Sequence, residues 1–161
     1  MVRRLFLVLA LLTAGCDTQP QFGNTDISAA GYANDFALTD HTGKHRTMAD
    51  FRGRAVVIFF GYTQCPDVCP TTMTGMAEAM KLLGGNSEKV QVLFVTVDPE
   101  RDTPELLAQY VPMFNPGFLG LYADAETIAR TAQEFRVFYK KQPGSTPTTY
   151  TVDHSAGSYV Y

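Results

Sequence analysis

The sequence of 161 residues has little of several features that would point directly to a function. It has no run of basic residues, and its formal net charge is −3, so we exclude nucleic acid as a partner. Beyond the first sixteen residues, no apolar stretch approaches the roughly 20 residues that cross a bilayer, which predicts a soluble body. Cysteine is scarce, and its three residues are where the chemistry of the chain concentrates.

The first sixteen residues are typical of an export signal. Two arginines, at positions 3 and 4, precede an apolar run over residues 5–12, and Thr13-Ala14-Gly15-Cys16 follows. This is the layout of a secretory signal, and its Gly-Cys end resembles a bacterial lipoprotein signal. The resemblance implies that Cys16 is acylated and, from Asp17, that the protein stays at the inner membrane and faces the periplasm. An ordinary secretory signal and an uncleaved anchor are the alternatives.

If the leader is cleaved and Cys16 carries lipid, a mildly acidic chain with two free cysteines remains. Its formal charge is −5, because the leader takes two arginines with it. Residues 17–33 are polar and without periodicity, which predicts a flexible tether. Residues 34–161 are long enough for one domain with its own core. Outside the cytosol, the close pair Cys65 and Cys69 is compatible with an inert disulfide, a redox couple or a metal site.

Segments of strand type and helix type alternate along the domain. In chain order they are predicted as a strand at 35–39, a buried strand at 55–60, a helix at 71–83, a strand at 90–97, a helix from a cap at Asp102 to about 114, a strand at 118–122, a helix from a cap at Asp124 to about 138, a polar loop at 140–146 and a strand pair at 149–153 and 158–161. The alternation indicates an α/β fold with a largely parallel central sheet flanked by helices. Because the chain stops inside an apolar run, a C-terminal truncation is expected.

The two cysteines lie where a buried strand gives way to a helix. Residues 59–70 read Phe-Phe-Gly-Tyr-Thr-Gln-Cys-Pro-Asp-Val-Cys-Pro. Amides at a helix N-terminus stabilise a thiolate, which is the better nucleophile and the better metal ligand. Both thiols can face one point if Cys65 precedes the helix and Cys69 lies in its first turn. Pro70 suits that turn, since it has no amide to donate.

Three segments together carry a resemblance to a known family. They are Gly-Tyr-Thr-Gln-Cys-Pro-Asp-Val-Cys-Pro at 61–70, Thr-Val-Asp-Pro-Glu-Arg-Asp-Thr-Pro at 96–104 and Tyr-Thr-Val-Asp-His-Ser at 150–155. In this order they resemble the Sco/SenC copper chaperones, within the thioredoxin superfamily. The resemblance covers about residues 35–161 and implies a thioredoxin-like fold that binds copper through Cys65, Cys69 and His154.

The resemblance also implies partners. They are the copper-bearing subunit of cytochrome c oxidase, whose copper A centre would receive the metal, a thiol reductant and a copper donor.

Two thiolates and an imidazole form a soft set of three donors that suits monovalent copper and also accepts divalent copper. Structural zinc normally takes four protein ligands, so zinc is the less favoured metal. A set of three donors leaves the metal open to a partner's ligands.

Other functions remain compatible with the same residues. The principal alternative is a thiol-disulfide oxidoreductase that keeps the oxidase cysteines reduced, with Cys65 and Cys69 as its redox-active dithiol. Whether the protein is an enzyme therefore stays open, and a metallochaperone is favoured. A peroxidase and a copper-responsive signalling module are further alternatives. For His154 the competing interpretation is a packed surface histidine, and for the cysteine pair it is a structural disulfide.

Two groups of side chains are assigned structural roles. Met73, Met76 and Met80 recur at helical spacing and are predicted to pack in the core. His41 and His45 flank a glycine turn and are predicted to lie at the surface.

The carboxylates near the site also receive structural interpretations. Asp98 is predicted to end a strand and Asp102 to cap a helix. Asp67 is predicted to be exposed. Asp153 is predicted either to orient the loop, to accept a hydrogen bond from the ring of His154 or to be solvated.

Overall fold

The computed structural model describes residues 23–146 and 149–161. The strands are β1 (Leu38–Asp40), β2 (His45–Arg46), β3 (Ala55–Gly61), β4 (Val90–Thr96), β5 (Leu119–Tyr122), β6 (Tyr139–Gln142), β7 (Thr151–His154) and β8 (Ser158–Val160). The α-helices are α1 (Val68–Leu83), α2 (Pro104–Tyr110) and α3 (Ala125–Glu134), with short 3-10 helices at Met48–Phe51, Gly84–Lys89 and Val111–Met113.

Six of the strands form one mixed sheet, in the order β2-β1-β5-β4-β3-β8. The central strands β3, β4 and β5 are parallel, as the alternation of strands and helices predicts, whereas the flanking strands pair antiparallel. Strands β3 and β4 are paired without a break from Ala55↔Val90 to Gly61↔Thr96. Their near-continuous apolar sequences fit burial on both faces. The cysteine segment therefore follows one of the most buried strands in the protein.

Helix α1 packs against the sheet through its methionine stripe. Met73 is fully buried in the core, and Met76 and Met80 pack partly buried against it, which confirms the core interpretation of these residues. The helix ends at Leu83, and the next residue is Gly84, whose φ of 54° lies in the left-handed region that glycine adopts without strain.

Several helix boundaries differ from the prediction, and α1 begins at Val68 rather than at 71. Helix α3 ends at Glu134 rather than near residue 138, because Arg136 adopts a φ of 52° and breaks the helical path. At the start of α2, Thr103 and not Asp102 is the cap, since the Thr103 side chain accepts a hydrogen bond from the Leu106 amide. The predicted cap of α3 at Asp124 is confirmed.

The C-terminal strands pair differently from the prediction. Strand β6 occupies part of the predicted loop at 140–146 and pairs antiparallel with β7, with Tyr139 opposite His154. Strand β8 instead pairs with β3 in the main sheet, so the predicted pairing of 149–153 with 158–161 is wrong. The β6–β7 hairpin is thus a separate two-stranded sheet.

The chain divides into two compact units, Met1–Gly31 and Tyr32–Tyr161. In the described part of the first unit, the amide and hydroxyl of Ser28 both donate to a carboxylate oxygen of Asp26. The predicted signal at 1–16, the lipidation site at Cys16 and residues 17–22 of the predicted tether lie outside the described residues.

The second unit begins two residues before the predicted domain boundary at 34. Ala33 is buried, and its amide donates to the carbonyl of Glu134 at 2.9 Å. Within residues 23–146 and 149–161, no helix is long and apolar enough to cross a membrane.

Candidate metal centre

The two cysteines lie at the junction of β3 and α1, in the arrangement that the sequence predicts. Cys65 precedes the helix and is half-buried, and Cys69 is buried in the first helical turn. The amide of Cys69 donates to the Cys65 sulfur at 3.4 Å. This amide lies at the N-terminus of α1, where backbone donors have no partner within the helix. Cys65 therefore lies where a thiol is readily used as a ligand or nucleophile.

His154, the last residue of β7, lies beside this pair. Its Nε2 atom is 3.3 Å from the Cys69 sulfur, and the ligand atoms of Cys65, Cys69 and His154 all lie within 4.8 Å of one another. The His154 Nδ1 atom is 3.0 Å from the carbonyl oxygen of Ser155. A carbonyl oxygen only accepts, so Nδ1 carries the proton and Nε2 presents its lone pair to the cysteines.

Aromatic rings hold the imidazole on two sides. The Tyr62 and Phe59 rings meet the His154 ring edge-on, at centroid distances of 5.9 and 6.1 Å. Both aromatic residues are buried in the core. The orientation of the imidazole is therefore fixed by packing as well as by the hydrogen bond to Ser155.

The two thiols lie in different electrostatic surroundings. Burial raises the pKa of Cys69 far above its usual range, a hydrogen bond with Cys65 raises this pKa further, and the backbone hydrogen bond at Tyr62 opposes the rise. Cys69 is consequently a neutral thiol at neutral pH. A metal bound to its sulfur must displace that proton.

Gly61 makes room for the Cys69 sulfur. A Cβ atom at this position would lie 2.9 Å from the Cys69 sulfur, 2.9 Å from a ring carbon of Phe94 and 3.0 Å from one of Phe59. Both rings are fully buried. The last residue of β3 is therefore a glycine because the sulfur and two core rings approach its backbone closely.

Asp102 is a buried carboxylate that holds the cysteine loop, a role that corrects its predicted one as a helix cap. It accepts hydrogen bonds from the Thr63 amide at 3.1 Å, from the Thr63 hydroxyl at 2.6 Å and from the Thr96 hydroxyl at 2.6 Å. Burial raises the pKa of Asp102, and the hydrogen bonds from Thr63 and Thr96 oppose this rise. The sequence gives no signal for this role, because an aspartate before Thr-Pro reads as a cap.

Asp98 follows the end of β4, as predicted, and it also has a second role that the sequence did not indicate. It is fully buried, forms an ion pair with Arg101 at 2.5 Å and accepts a hydrogen bond from the Tyr150 hydroxyl at 2.6 Å. Sequence reasoning missed Arg101 altogether. No periodicity singles out an arginine in a loop, and its position within the family-like segment at 96–104 is the one available signal.

The remaining candidates lie away from the centre or play other roles. His45 is exposed as predicted, but His41 is half-buried, and its Nδ1 accepts a hydrogen bond from the Gly120 amide at 3.0 Å. Asp67 is exposed as predicted. The carboxylate of Asp153 accepts from the Gln142 side chain at 2.6 Å.

The centre opens to solvent on one side. Cys65 and His154 line an open surface depression of about 510 Å³, together with Tyr62, Asp67 and Val68. Within the described parts of the chain, Cys65, Cys69 and His154 are the group of three His, Cys, Asp or Glu side chains whose ligand atoms converge. A soft metal ion held here would be reachable from outside.

Comparisons with known proteins identify the family to which this chain is similar. The family model described as SCO1/SenC matches residues 24–161. The mitochondrial SCO2 homolog of Bos taurus is 43% identical over 134 residues, which are 82% of this chain and 50% of the bovine protein. The SCO2-like protein of Rickettsia felis is 35% identical over 164 residues, which are 99% of this chain and 78% of that protein.

A solved structure matches the fold as well. The structure of Bradyrhizobium japonicum ScoI with copper bound superimposes with a TM-score of 0.74 at 42% identity, covering 78% of this chain and 80% of that one. This chain spans about half the length of the bovine relative. The family model covers most of the chain, so the chain belongs to the SCO1/SenC family.

Proposed function

We propose that this protein is a copper-binding metallochaperone that holds copper through Cys65, Cys69 and His154. One observation carries the proposal. Cys69 and His154 are separated by 85 positions in the sequence, yet their ligand atoms lie 3.3 Å apart, with the Cys65 sulfur beside them. The hydrogen bond of His154 to Ser155 leaves the Nε2 lone pair free for a metal.

The donor set favours copper over zinc. Thiolates select monovalent copper, and an imidazole suits copper in both oxidation states. A structural zinc site would call for a fourth protein ligand, and the described residues bring three His, Cys, Asp or Glu ligands together here. The ScoI relative from Bradyrhizobium japonicum, which shares 42% identity, has been solved with copper bound.

Delivery to the copper A centre of cytochrome c oxidase is the destination that the family resemblance implies. The arrangement is suited to transfer, because Cys65 and His154 line an open depression. Thiols or imidazoles of a receiving subunit can add to the exposed side of the metal before the chaperone's own ligands leave. A copper donor would load the site by the same route.

Competition of the reduced full-length chain with a chelator for monovalent copper tests the proposal. We expect one copper per chain, and a loss of about ten- to a hundredfold in affinity for His154→Ala. His45→Ala is the matched control, because His45 is exposed and is not part of the converging group. Binding that is equally strong in His154→Ala and the parent chain would overturn the ligand set.

Copper loading in this proposal depends on the redox state of the cysteines. Cys65 and Cys69 carry free thiols, and both sulfurs must be reduced to bind metal. Oxidation of the two thiols to a disulfide removes two electrons and two protons and withdraws both sulfur ligands from copper. An upstream dithiol reductant, itself oxidised to a disulfide, would restore the binding form.

An oxidoreductase is the second candidate, and the unequal exposure of the two cysteines favours it. The half-buried Cys65 would attack a disulfide of the oxidase and release one of its thiolates. The buried Cys69 would then attack the mixed disulfide, release the second thiolate and leave a Cys65–Cys69 disulfide. Rapid reduction of an oxidised copper-site peptide by a His154→Ala variant that binds copper weakly would favour this function.

We also propose that the mature protein is anchored by lipid at Cys16 to the inner membrane and faces the periplasm. The sequence of the leader supports this location. Labelling with a radioactive fatty acid, in the parent chain and in Cys16→Ser, tests the anchor. Equal labelling of the two proteins, or none in the parent, would contradict it.

A further inference from the structure

The position of His154 relative to the cysteines depends on side-chain contacts. His154 belongs to the β6–β7 hairpin, which is a sheet of its own, whereas the cysteines follow β3 of the main sheet. No ladder of backbone hydrogen bonds joins the two sheets in the described residues. The chain leads from His154 into β8, whose pairing with β3 ties that end of the hairpin to the main sheet, so side chains that reach across from the main body are needed at the start of β7.

Arg101 makes such contacts with both parts of the site. Its Nη1 atom donates to the carbonyl of Tyr150 at 2.8 Å and to the Gln64 side chain at 3.2 Å. Gln64 directly precedes Cys65, and Tyr150 lies just before β7. Arg101 thus bridges the cysteine loop and the segment that leads into the strand of His154, and its hydrogen bonds go to Asp98, Gln64 and Tyr150 rather than to the three proposed ligands.

Stacking adds to these hydrogen bonds. The guanidinium carbon of Arg101 lies 3.6 Å from the centroid of the Tyr150 ring and 5.7 Å from that of Tyr62. The Tyr62 ring in turn meets the edge of the His154 ring. Along an extended segment, Tyr150, Val152 and His154 share one face, and Val152 on that face is buried. A displacement of Tyr150 is therefore transmitted to His154.

A buried counter-ion fixes Arg101 itself. Its Nε atom pairs with Asp98 at 2.5 Å, and the Asp98 carboxylate is fully buried. The same carboxylate accepts from the Tyr150 hydroxyl at 2.6 Å, which closes a network of three side chains. A lysine would keep the positive charge but would lose the planar fork and the stacking surface of the guanidinium.

We propose that Arg101 is a positioning residue that holds His154 over the cysteine pair, and that it sets copper affinity through the imidazole rather than through the fold at large. The inference rests on the proposed function of Cys65, Cys69 and His154 as copper ligands.

A double-mutant cycle with monovalent copper tests this role. The affinities of the full chain, Arg101→Lys, His154→Ala and the double variant are measured against a competing chelator. We expect Arg101→Lys to weaken binding about tenfold when His154 is present and less than about twofold when it is absent. An equal loss in both backgrounds, or no loss in either, would overturn the proposal.

Two further variants provide controls. Arg130→Lys is the matched control, since Arg130 pairs with Glu126 on the exposed face of α3, and we expect no change in affinity. Tyr150→Phe removes the hydroxyl bonded to Asp98 and keeps the ring on which the Arg101 guanidinium stacks. Should Arg101→Lys fail to fold, Tyr150→Phe must show a smaller loss that again depends on His154. Its absence would count against the proposal.

Nitrogen NMR of the metal-free protein separates this inference from the proposed function. We expect the His154 ring in the parent chain to be protonated at Nδ1, and in Arg101→Lys to average between its two tautomers. An unchanged tautomer in Arg101→Lys overturns the positioning role. If His154→Ala alone leaves copper affinity intact, the ligand set fails, and the NMR comparison still decides the role of Arg101.

Discussion

Replacement of Gly61 by alanine tests whether close packing at the end of β3 places the Cys69 sulfur. The added Cβ would stand 2.9 Å from that sulfur and 2.9 and 3.0 Å from ring carbons of Phe94 and Phe59. Nonbonded carbon atoms prefer about 3.5–4.0 Å, so each neighbour must retreat by at least about 0.5 Å. The two rings and the Cys69 side chain are all enclosed in the core, so none of them can retreat without disturbing its neighbours.

Two losses should follow from this substitution. Overpacking of this kind costs about 1–3 kcal/mol in the free energy of unfolding. Displacement of the sulfur also spoils its 3.3 Å approach to the Nε2 atom of His154, and we expect copper affinity to fall about tenfold or more. Urea denaturation measures the first loss, and chelator competition measures the second.

Gly75→Ala is the matched control for this prediction. Gly75 lies within α1, and a Cβ atom there would have no heavy atom within 4 Å. Alanine in a helix interior is favoured over glycine by roughly 1 kcal/mol, so this variant should be more stable, with unchanged copper affinity. If Gly61→Ala matched the parent chain in both measurements, the packing argument would be refuted.

Three other predictions concern pH and capping. Because burial raises the pKa of Cys69, copper must displace the proton of its thiol. The affinity for copper should therefore rise at least about tenfold per pH unit between about pH 6 and pH 8. An affinity that does not change with pH would contradict a neutral Cys69 thiol. Burial opposes the charge of Asp40, but hydrogen bonds from its own turn and from Arg46 outweigh it and lower its pKa from 3.8 to about 2. The stabilisation by ionised Asp40 is present above its unfolded-state pKa and is lost as pH falls through its folded-state pKa. Urea denaturation should therefore show that Asp40→Asn costs about 2 kcal/mol in the free energy of unfolding at pH 7 and about 1 kcal/mol at pH 3. An equal cost at the two pH values would count against this role of Asp40. Thr103→Ala removes the side chain that accepts from the Leu106 amide and should cost about 1 kcal/mol, with copper affinity unchanged.

The elements with strong periodic patterns were predictable from the sequence. Strands β3 and β4 are continuous apolar runs, and α1 shows its methionines at helical spacing. The errors fall where local signals are weak or ambiguous. Helix α3 ends because Arg136 adopts a positive φ, a conformation that glycine usually occupies. Without a glycine there, the sequence contains no signal for the end of the helix. The residues of β6 are mostly polar, so their sequence predicts a loop. They form a strand because β7 pairs with them.

The charged residues around the site illustrate the same limit. From the sequence, Asp98 is interpreted as the end of a strand and Asp102 as a helix cap. In the folded protein each is a buried carboxylate, one paired with Arg101 and the other accepting from Thr63 and Thr96. Burial and partners arise from contacts between distant segments, and a residue's neighbours in the sequence carry little information about them.

The sequence alone determined the chemistry of this protein, since two cysteines four positions apart at a strand-to-helix junction, with a distant histidine, specify soft ligands near a helix N-terminus. The tertiary structure decided where the histidine points. Its tautomer is fixed by Ser155, its ring by Tyr62, and its strand by Arg101. The physical reason is range: ligand type and helix position are local properties, whereas the distance between His154 and Cys69 depends on how two separate sheets pack.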